Sequence, residues 1–255
     1  MKSLIRKIAQ KLLKPFALKV GYTLKNDEIN QGDKNELLDT FFGVLKNINF
    51  TPLHIIDIGA NHGTWTRKAL QHFPHAYFTL LEPQAWLKES IKELLEKNSK
   101  ITFHGVGAGE KQGSFKFTIV DRDDSCCFGY SEQESLANGF RQIDIPVVTI
   151  NGLLEDKEVP IPDIIKIDAE GMDIEVLKGA SNYYGKTEIF MVETSVMNKK
   201  FSNNLSAMIH FMDSIGYKFF DITDLNRTMQ HNALWLIELV FIKKGGYIDD
   251  SITFY

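Results

Sequence analysis

The chain has 255 residues, 44% of them hydrophobic and 24% charged, which is ample apolar material for the core of one large domain. A formal net charge of −4 excludes the strongly basic balance of a nucleic-acid-binding domain. The two cysteines, Cys126 and Cys127, are adjacent, which argues against a disulfide framework and fits a reducing, cytoplasmic setting.

The first 20 residues, MKSLIRKIAQKLLKPFALKV, carry Lys2, Arg6, Lys7, Lys11, Lys14 and Lys19 and no acid. Leu4, Ile5, Ile8, Leu12, Leu13 and Phe16 fall on one helical face, so residues 1–34 read as a basic amphipathic helix with a connector. Such a helix either packs on its own domain or lies on an anionic membrane surface, a peripheral contact at the inner face. No apolar run approaches the roughly 18 residues needed to span a bilayer.

From residue 35 the pattern is one α/β domain running to residue 255. NELLDTFFGVLKNI (35–48) has helical spacing, and LHIIDI reads as the first strand. TWTRKALQHF (64–73) is a helix that stops before Pro74, AYFTLLEP (76–83) a strand, AWLKESIKELLEKN (85–98) a helix and ITFHGVGAG (101–109) a third strand. Strands alternating with helices predict a mainly parallel sheet. GSFKFTIV (113–120) and RQIDIPVVTI (141–150) then read as an inserted strand pair around a polar loop, 121–140. The alternation resumes with IPDIIKIDAEG (161–171), MDIEVLKGASNYY, TEIFMVETS (187–195) and NLSAMIHFMDSIG (204–216). YKFFDIT and LWLIELVFIKK close the chain as neighbouring antiparallel strands.

In a parallel sheet, ligands bind beyond the carboxyl ends of the strands. Asp57, Gly59, Ala60, Asn61 and Gly63 stand at the end of strand one, where small residues let backbone approach a ligand and an acid suits an ammonium group. The spacing Asp-x-Gly-x-x-x-Gly differs from the Gly-x-Gly-x-x-Gly of dinucleotide folds. Glu82, at the end of strand two, can accept hydrogen bonds from a ribose diol. Asp168 and Glu170 stand two apart at a strand end and, in extended geometry, point the same way. Glu193 converges on the same rim, with His62 and His104 as weaker candidates. Asp121 and Asp123 form an Asp-x-Asp in the 121–140 loop, beside Asp124, Ser125 and Tyr130. That loop reads as an acceptor-side loop.

DIGANHGTWT, LLEP, DIIKIDAEGMDIEVLKGA and LWLIELVFIKK, in this order, resemble the FkbM family of S-adenosylmethionine-dependent methyltransferases over roughly residues 50–245. The resemblance implies a class I, Rossmann-like methyltransferase fold with seven strands, the last antiparallel and inserted beside strand six. It implies that Asp57 and the Gly59–Gly63 loop hold the methionine part of the cofactor, Glu82 the ribose, and Gly107 and Ala108 the region of the adenine. It also implies a small-molecule or glycan acceptor that is O-methylated on a sugar hydroxyl. Asp168 is then the best candidate for the chemical centre, with Glu170 and Glu193 beside it. Asp168 and Glu170 are candidates to hold a divalent metal such as magnesium. Two alternatives stand beside this reading. One is a metal-dependent glycosyltransferase using Asp121 and Asp123, and the other a non-catalytic module that binds a membrane or a partner.

Overall fold

The computed structural model describes residues 34–155, 158–197 and 203–253, so the basic segment expected to form an amphipathic helix lies outside the described residues. In chain order the helices are α1 (Lys34–Asn47), α2 (Thr64–His72), α3 (Lys92–Lys97), α4 (Glu132–Ala137), α5 (Ile150–Leu154), α6 (Asp173–Lys178), α7 (Leu205–Ser214) and α8 (Tyr247–Ser251). The strands are β1 (His54–Ile58), β2 (Tyr77–Leu81), β3 (Ile101–His104), β4 (Gly107–Ala108), β5 (Gly113–Ile119), β6 (Arg141–Val148), β7 (Ile164–Ile167), β8 (Ile189–Ser195), β9 (Tyr217–Arg227) and β10 (Leu234–Lys243). Seven of them form one sheet in the order β3-β2-β1-β7-β8-β10-β9. β1 pairs in parallel with β2 and β7, whereas β10 runs antiparallel between β8 and β9. This is the class I methyltransferase arrangement expected above.

The period-2 alternation of the strands explains the two cores. Ile55, Ile164, Ile189, Met191, Val240 and Ile242 join a cluster with Phe41, Phe42 and Leu45 of α1. Their neighbours Ile56, Ile165, Phe190, Val192, Leu239 and Phe241 join a second cluster with Val176 and Leu177 of α6 and Met208 and Met212 of α7. Strands buried on both faces read as nearly unbroken apolar runs, as HIIDI and IIKI do. Among the described residues no helix is long and apolar enough to cross a membrane.

Three expectations are corrected. The single strand over 101–109 breaks after His104, and Gly107–Ala108 instead pairs in parallel with β6 in a separate sheet of order β4-β6-β5. The backbone is drawn close at the break, where a Cβ on Gly105 would stand 2.7 Å from the Ala85 side chain. The helix over 85–98 begins as a 3-10 stretch, Ala85–Ile91, because Gln84 is tied to Glu82 and its carbonyl accepts the Leu87 N–H at 2.8 Å, an i+3 spacing. The 121–140 loop contains α4, whose start is a capping box between Ser131 and Glu134.

Candidate active site

The site is built on charges placed inside apolar strands. The register of β1 and β7 sets Asp57 opposite Lys166, each a lone charge in a run of isoleucines. Asp57 is completely buried. It accepts the Thr66 hydroxyl at 2.5 Å and pairs with the Lys166 ammonium at 3.3 Å. Lys166 also reaches the Asp168 carboxylate at 3.3 Å and the Gly59 carbonyl at 3.2 Å. Burial alone would lower the Lys166 pKa, but Asp57, Asp168 and Glu238 outweigh it and hold the ammonium above the usual lysine range. Asp57 therefore supports the glycine loop from beneath through Lys166 and does not border the cleft.

Glu238 lies on β10 opposite Glu193 of β8 and accepts the Thr223 hydroxyl. Burial pushes its pKa from 4.5 up to about 7. The unfolded chain ionises this group above pH 4.5 while the folded chain keeps the proton, so stability is lost as pH rises towards 7. Glu238→Gln keeps an acceptor for Thr223. It is expected to raise stability at pH 8 by up to about 3 kcal/mol and hardly at all at pH 5. Urea midpoints at the two pH values test this, and an equal gain at both would remove ionisation as the cause.

The glycine loop follows β1. Gly59 adopts φ +75°, and a Cβ there would stand 2.0 Å from the Asp168 carbonyl oxygen. Only glycine allows the end of β1 to pass so close to the end of β7. The Gly59 and Ala60 N–H groups both donate to the Leu81 carbonyl at 3.0 Å. The Asn61 N–H donates to one oxygen of Glu82 at 2.8 Å, and the Gln84 N–H donates to the other at 2.9 Å. Glu82 thus ties two loops together at the mouth of the cleft. Burial raises its pKa, and those two donors oppose the rise. Gly63, at φ +73°, turns the chain into α2.

The inserted sheet closes the cleft from above. The Asp123 carbonyl accepts the side-chain amides of Asn61 (3.3 Å) and Gln84 (2.7 Å), and its carboxylate lies 2.7 Å from His62 Nε2. The Asp-x-Asp of the sequence therefore places Asp123 as a clasp on the glycine loop. Beneath it lies a cleft partly open to solvent. Gly59, Asn61, Glu82, Ala108, Asp168 and Glu170 border it, as do Cys126, Cys127 and Phe128 of the inserted unit.

The acids gather at one end of this cleft. Asp168, Glu170 and Glu193 each bring a carboxylate oxygen within 4.8 Å of the others. The extended geometry expected of Asp168 and Glu170 is not what brings them together. β7 ends at Ile167, and Glu170 stands in the left-handed region at φ +49°, followed by Gly171 at φ +94°. A non-glycine residue held there is strained, and such strain is concentrated at functional sites. Nor does Glu170 cap the following helix. Asp173 turns back to accept the N–H groups of Ala169 (2.9 Å) and Gly171 (3.2 Å). Burial, reinforced by Asp168, raises the Asp173 pKa to about 7. Burial first, and then Asp168 and Glu170, push the Glu193 carboxyl well above the usual carboxylate range.

The remaining candidates are dispersed. Ala60 is buried behind the loop, and Gly107 packs beneath Phe128, where a Cβ would stand 2.7 Å from the ring. Tyr130 borders a neighbouring apolar pocket with Phe128, Met172 and Glu175. Ser125 lies in the short turn Asp123–Ser125, and the side chain of Asp124 is outside the described residues. The reading of the sequence missed Lys166, for which a lysine inside IIKI was the available signal. It also missed Gln84, whose importance depends on a contact with the distant Asp123.

With this geometry in place, comparison with known proteins is decisive at one point: the family profile described as Methyltransferase FkbM domain matches residues 57–219. The chain belongs to the FkbM methyltransferase family. The matched residues run from Asp57 into β9 and so include the glycine loop, Glu82 and all three clustered acids. Hexuronic acid methyltransferase AglP of Haloferax volcanii is 38% identical over 63 residues, which cover 22% of this chain and 26% of that protein. The matched stretch is thus about a quarter of that relative's length. Among solved structures, methyltransferase FkbM from Methylobacillus flagellatus KT is 19% identical with a TM-score of 0.48, covering 73% of this chain and 43% of the other. Magnesium protoporphyrin IX methyltransferase from Synechocystis PCC 6803, solved with bound S-adenosylmethionine, is 9% identical with a TM-score of 0.48, covering 93% and 96%.

Proposed function

We propose that this FkbM-family enzyme transfers a methyl group from S-adenosylmethionine to a hydroxyl of a sugar, glycan or glycosylated natural product. The observation that carries the reading is the junction of the glycine-loop cleft with the cluster of Asp168, Glu170 and Glu193. The hexuronic acid named for the partial relative supports the lean towards a sugar acceptor. The cleft fits the donor in kind. Glu82 would hold the ribose, and Gly59, Asn61 and Ala108 border the same space. S-adenosylmethionine supplies an electrophilic methyl carbon on a sulfonium.

The residues of the chain do the rest. The new carbon–oxygen bond forms as the carbon–sulfur bond breaks, and the hydroxyl proton must leave. Asp168 borders the cleft and accepts that proton. Glu193 stands beside it, its carboxyl held well above the usual carboxylate range by burial and by Asp168 and Glu170. Lys166 holds Asp168 in place at 3.3 Å. The same three carboxylates are the hard-oxygen donors that would hold a divalent cation such as magnesium, which would further polarise the hydroxyl.

Calorimetry with S-adenosylmethionine tests the donor. The native chain is expected to bind at micromolar concentration and Gly59→Ala more than tenfold more weakly, since its new methyl cannot coexist with the Asp168 carbonyl. Transfer of a labelled methyl group to a panel of methyl glycosides, with and without EDTA, then tests acceptor and metal. Absence of donor binding to the native chain would overturn the reading.

A further inference from the structure

Glu82, Asn61, Gln84 and Asp123 close a ring of hydrogen bonds at the mouth of the cleft. The Asn61 N–H donates to Glu82 Oε2 at 2.8 Å, and the Gln84 N–H donates to Oε1 at 2.9 Å. The side-chain amides of the same two residues both donate to the Asp123 carbonyl, at 3.3 Å and 2.7 Å. A carbonyl oxygen has two lone pairs, so one atom of the inserted unit answers both amides that bracket the acid.

The two sides of this ring are held in different ways. On the loop side, Arg67 donates to the carbonyls of His62 and Ser90 and to the Glu93 carboxylate, which braces His62 against the 3-10 stretch and α3. Asn61, held in the left-handed region at φ +45°, also accepts the His62 N–H at 2.7 Å through its side chain. On the other side, Asp121, Arg122 and Asp123 are exposed in the turn that follows β5, so burial does little to fix the Asp123 carbonyl. The contact that joins the braced side to the exposed one is His62 Nε2 against the Asp123 carboxylate, at 2.7 Å.

We propose that His62 and Asp123 are positioning residues for the donor, holding the Asp123 carbonyl over Asn61 and Gln84 so that Glu82 is oriented for a ribose diol. The inference rests on the donor reading above and adds that the ribose site is completed from the inserted unit. A diol presents two hydroxyls at a fixed separation, so its affinity depends on where the oxygens of the acid point, and a preorganised acid loses less on binding. His62 is not among the described residues that border the cleft, so it acts on the donor through this ring. The His62 and Asp123 side chains are 46% and 48% exposed, and an exposed pair contributes little to folding. Removing it therefore tests position more than stability.

The test uses the full chain and calorimetry with S-adenosylhomocysteine and its 2′,3′-dideoxy analogue. His62→Ala and Asp123→Ala are each expected to weaken S-adenosylhomocysteine binding at least threefold. The double variant should lose no more than either alone, because both changes break one contact. The dideoxy analogue offers Glu82 no diol and should bind native and variant chains within twofold of one another, which also reports an intact fold. Asp123→Asn, whose amide can meet either tautomer of His62, should bind S-adenosylhomocysteine within twofold of native. Single losses below threefold, a double loss equal to the product of the singles, or an equal loss for the dideoxy analogue would overturn the positioning role and leave the donor site standing. A native chain that binds neither ligand would overturn the donor reading and this inference with it.

Discussion

Asp168→Asn is expected to lower methyl transfer at least about 100-fold while leaving the fold and donor binding intact, within the range general acid–base groups contribute. The side chain stands at the end of β7 and is 34% exposed, so the structure does not depend on it as it does on its buried neighbours. Asparagine preserves the shape and can still accept a hydrogen bond from Lys166. It cannot take a proton, and it removes one of the three charges that converge within 4.8 Å. Single-turnover transfer measured beside donor calorimetry separates chemistry from binding. Turnover within threefold of native would remove Asp168 from the chemical step and leave Glu193 as the group to test.

Lys166→Met should destabilise the protein by about 3–5 kcal/mol, the cost of leaving a buried charge without its partner. Asp57 is fully buried, and Lys166, itself 4% exposed, is the cation beside it. Methionine fills similar volume, so the loss would come from charge and not from a cavity. The control is the double variant Asp57→Asn, Lys166→Met, which should recover a substantial part of the loss because it removes both members of the pair. Urea unfolding measures both variants. A single variant within 1 kcal/mol of native would show that Asp57 is solvated or otherwise compensated.

The strands and helices of the parallel half were legible because their signals are local. HIIDI, IIKI and LWLIELVFIKK read as buried strands by composition. The glycines of DIGANHG marked a backbone that must come close to something, and Gly59 does so against Asp168. The neighbours of the acids were less legible. Asp57 read as a ligand group because it sits beside the glycines, yet its charge is answered from inside by Lys166 and Thr66. Asp168 and Glu170 were paired on a strand geometry that Glu170 does not have, and a left-handed turn achieves the convergence instead. The split of 101–109 into β3 and β4 was hidden because GVGA pairs with β6, some forty residues later in the chain.

What the sequence determined by itself was the class of fold, the glycine loop and the set of acids, since periodicity and backbone demands are properties of neighbouring residues. What only the tertiary structure decided was which partner each polar group has. Lys166 beneath the loop, the Asp123 clasp on Asn61 and Gln84, and the unanswered hydroxyls of Thr194 and Ser195 all depend on strand register and on contacts between distant segments. A threonine or serine in a strand reads alike whether its hydroxyl is satisfied or orphaned. Pairing is settled where the sheet aligns one strand with the next, because a shift of a single residue would turn each side chain to the opposite face.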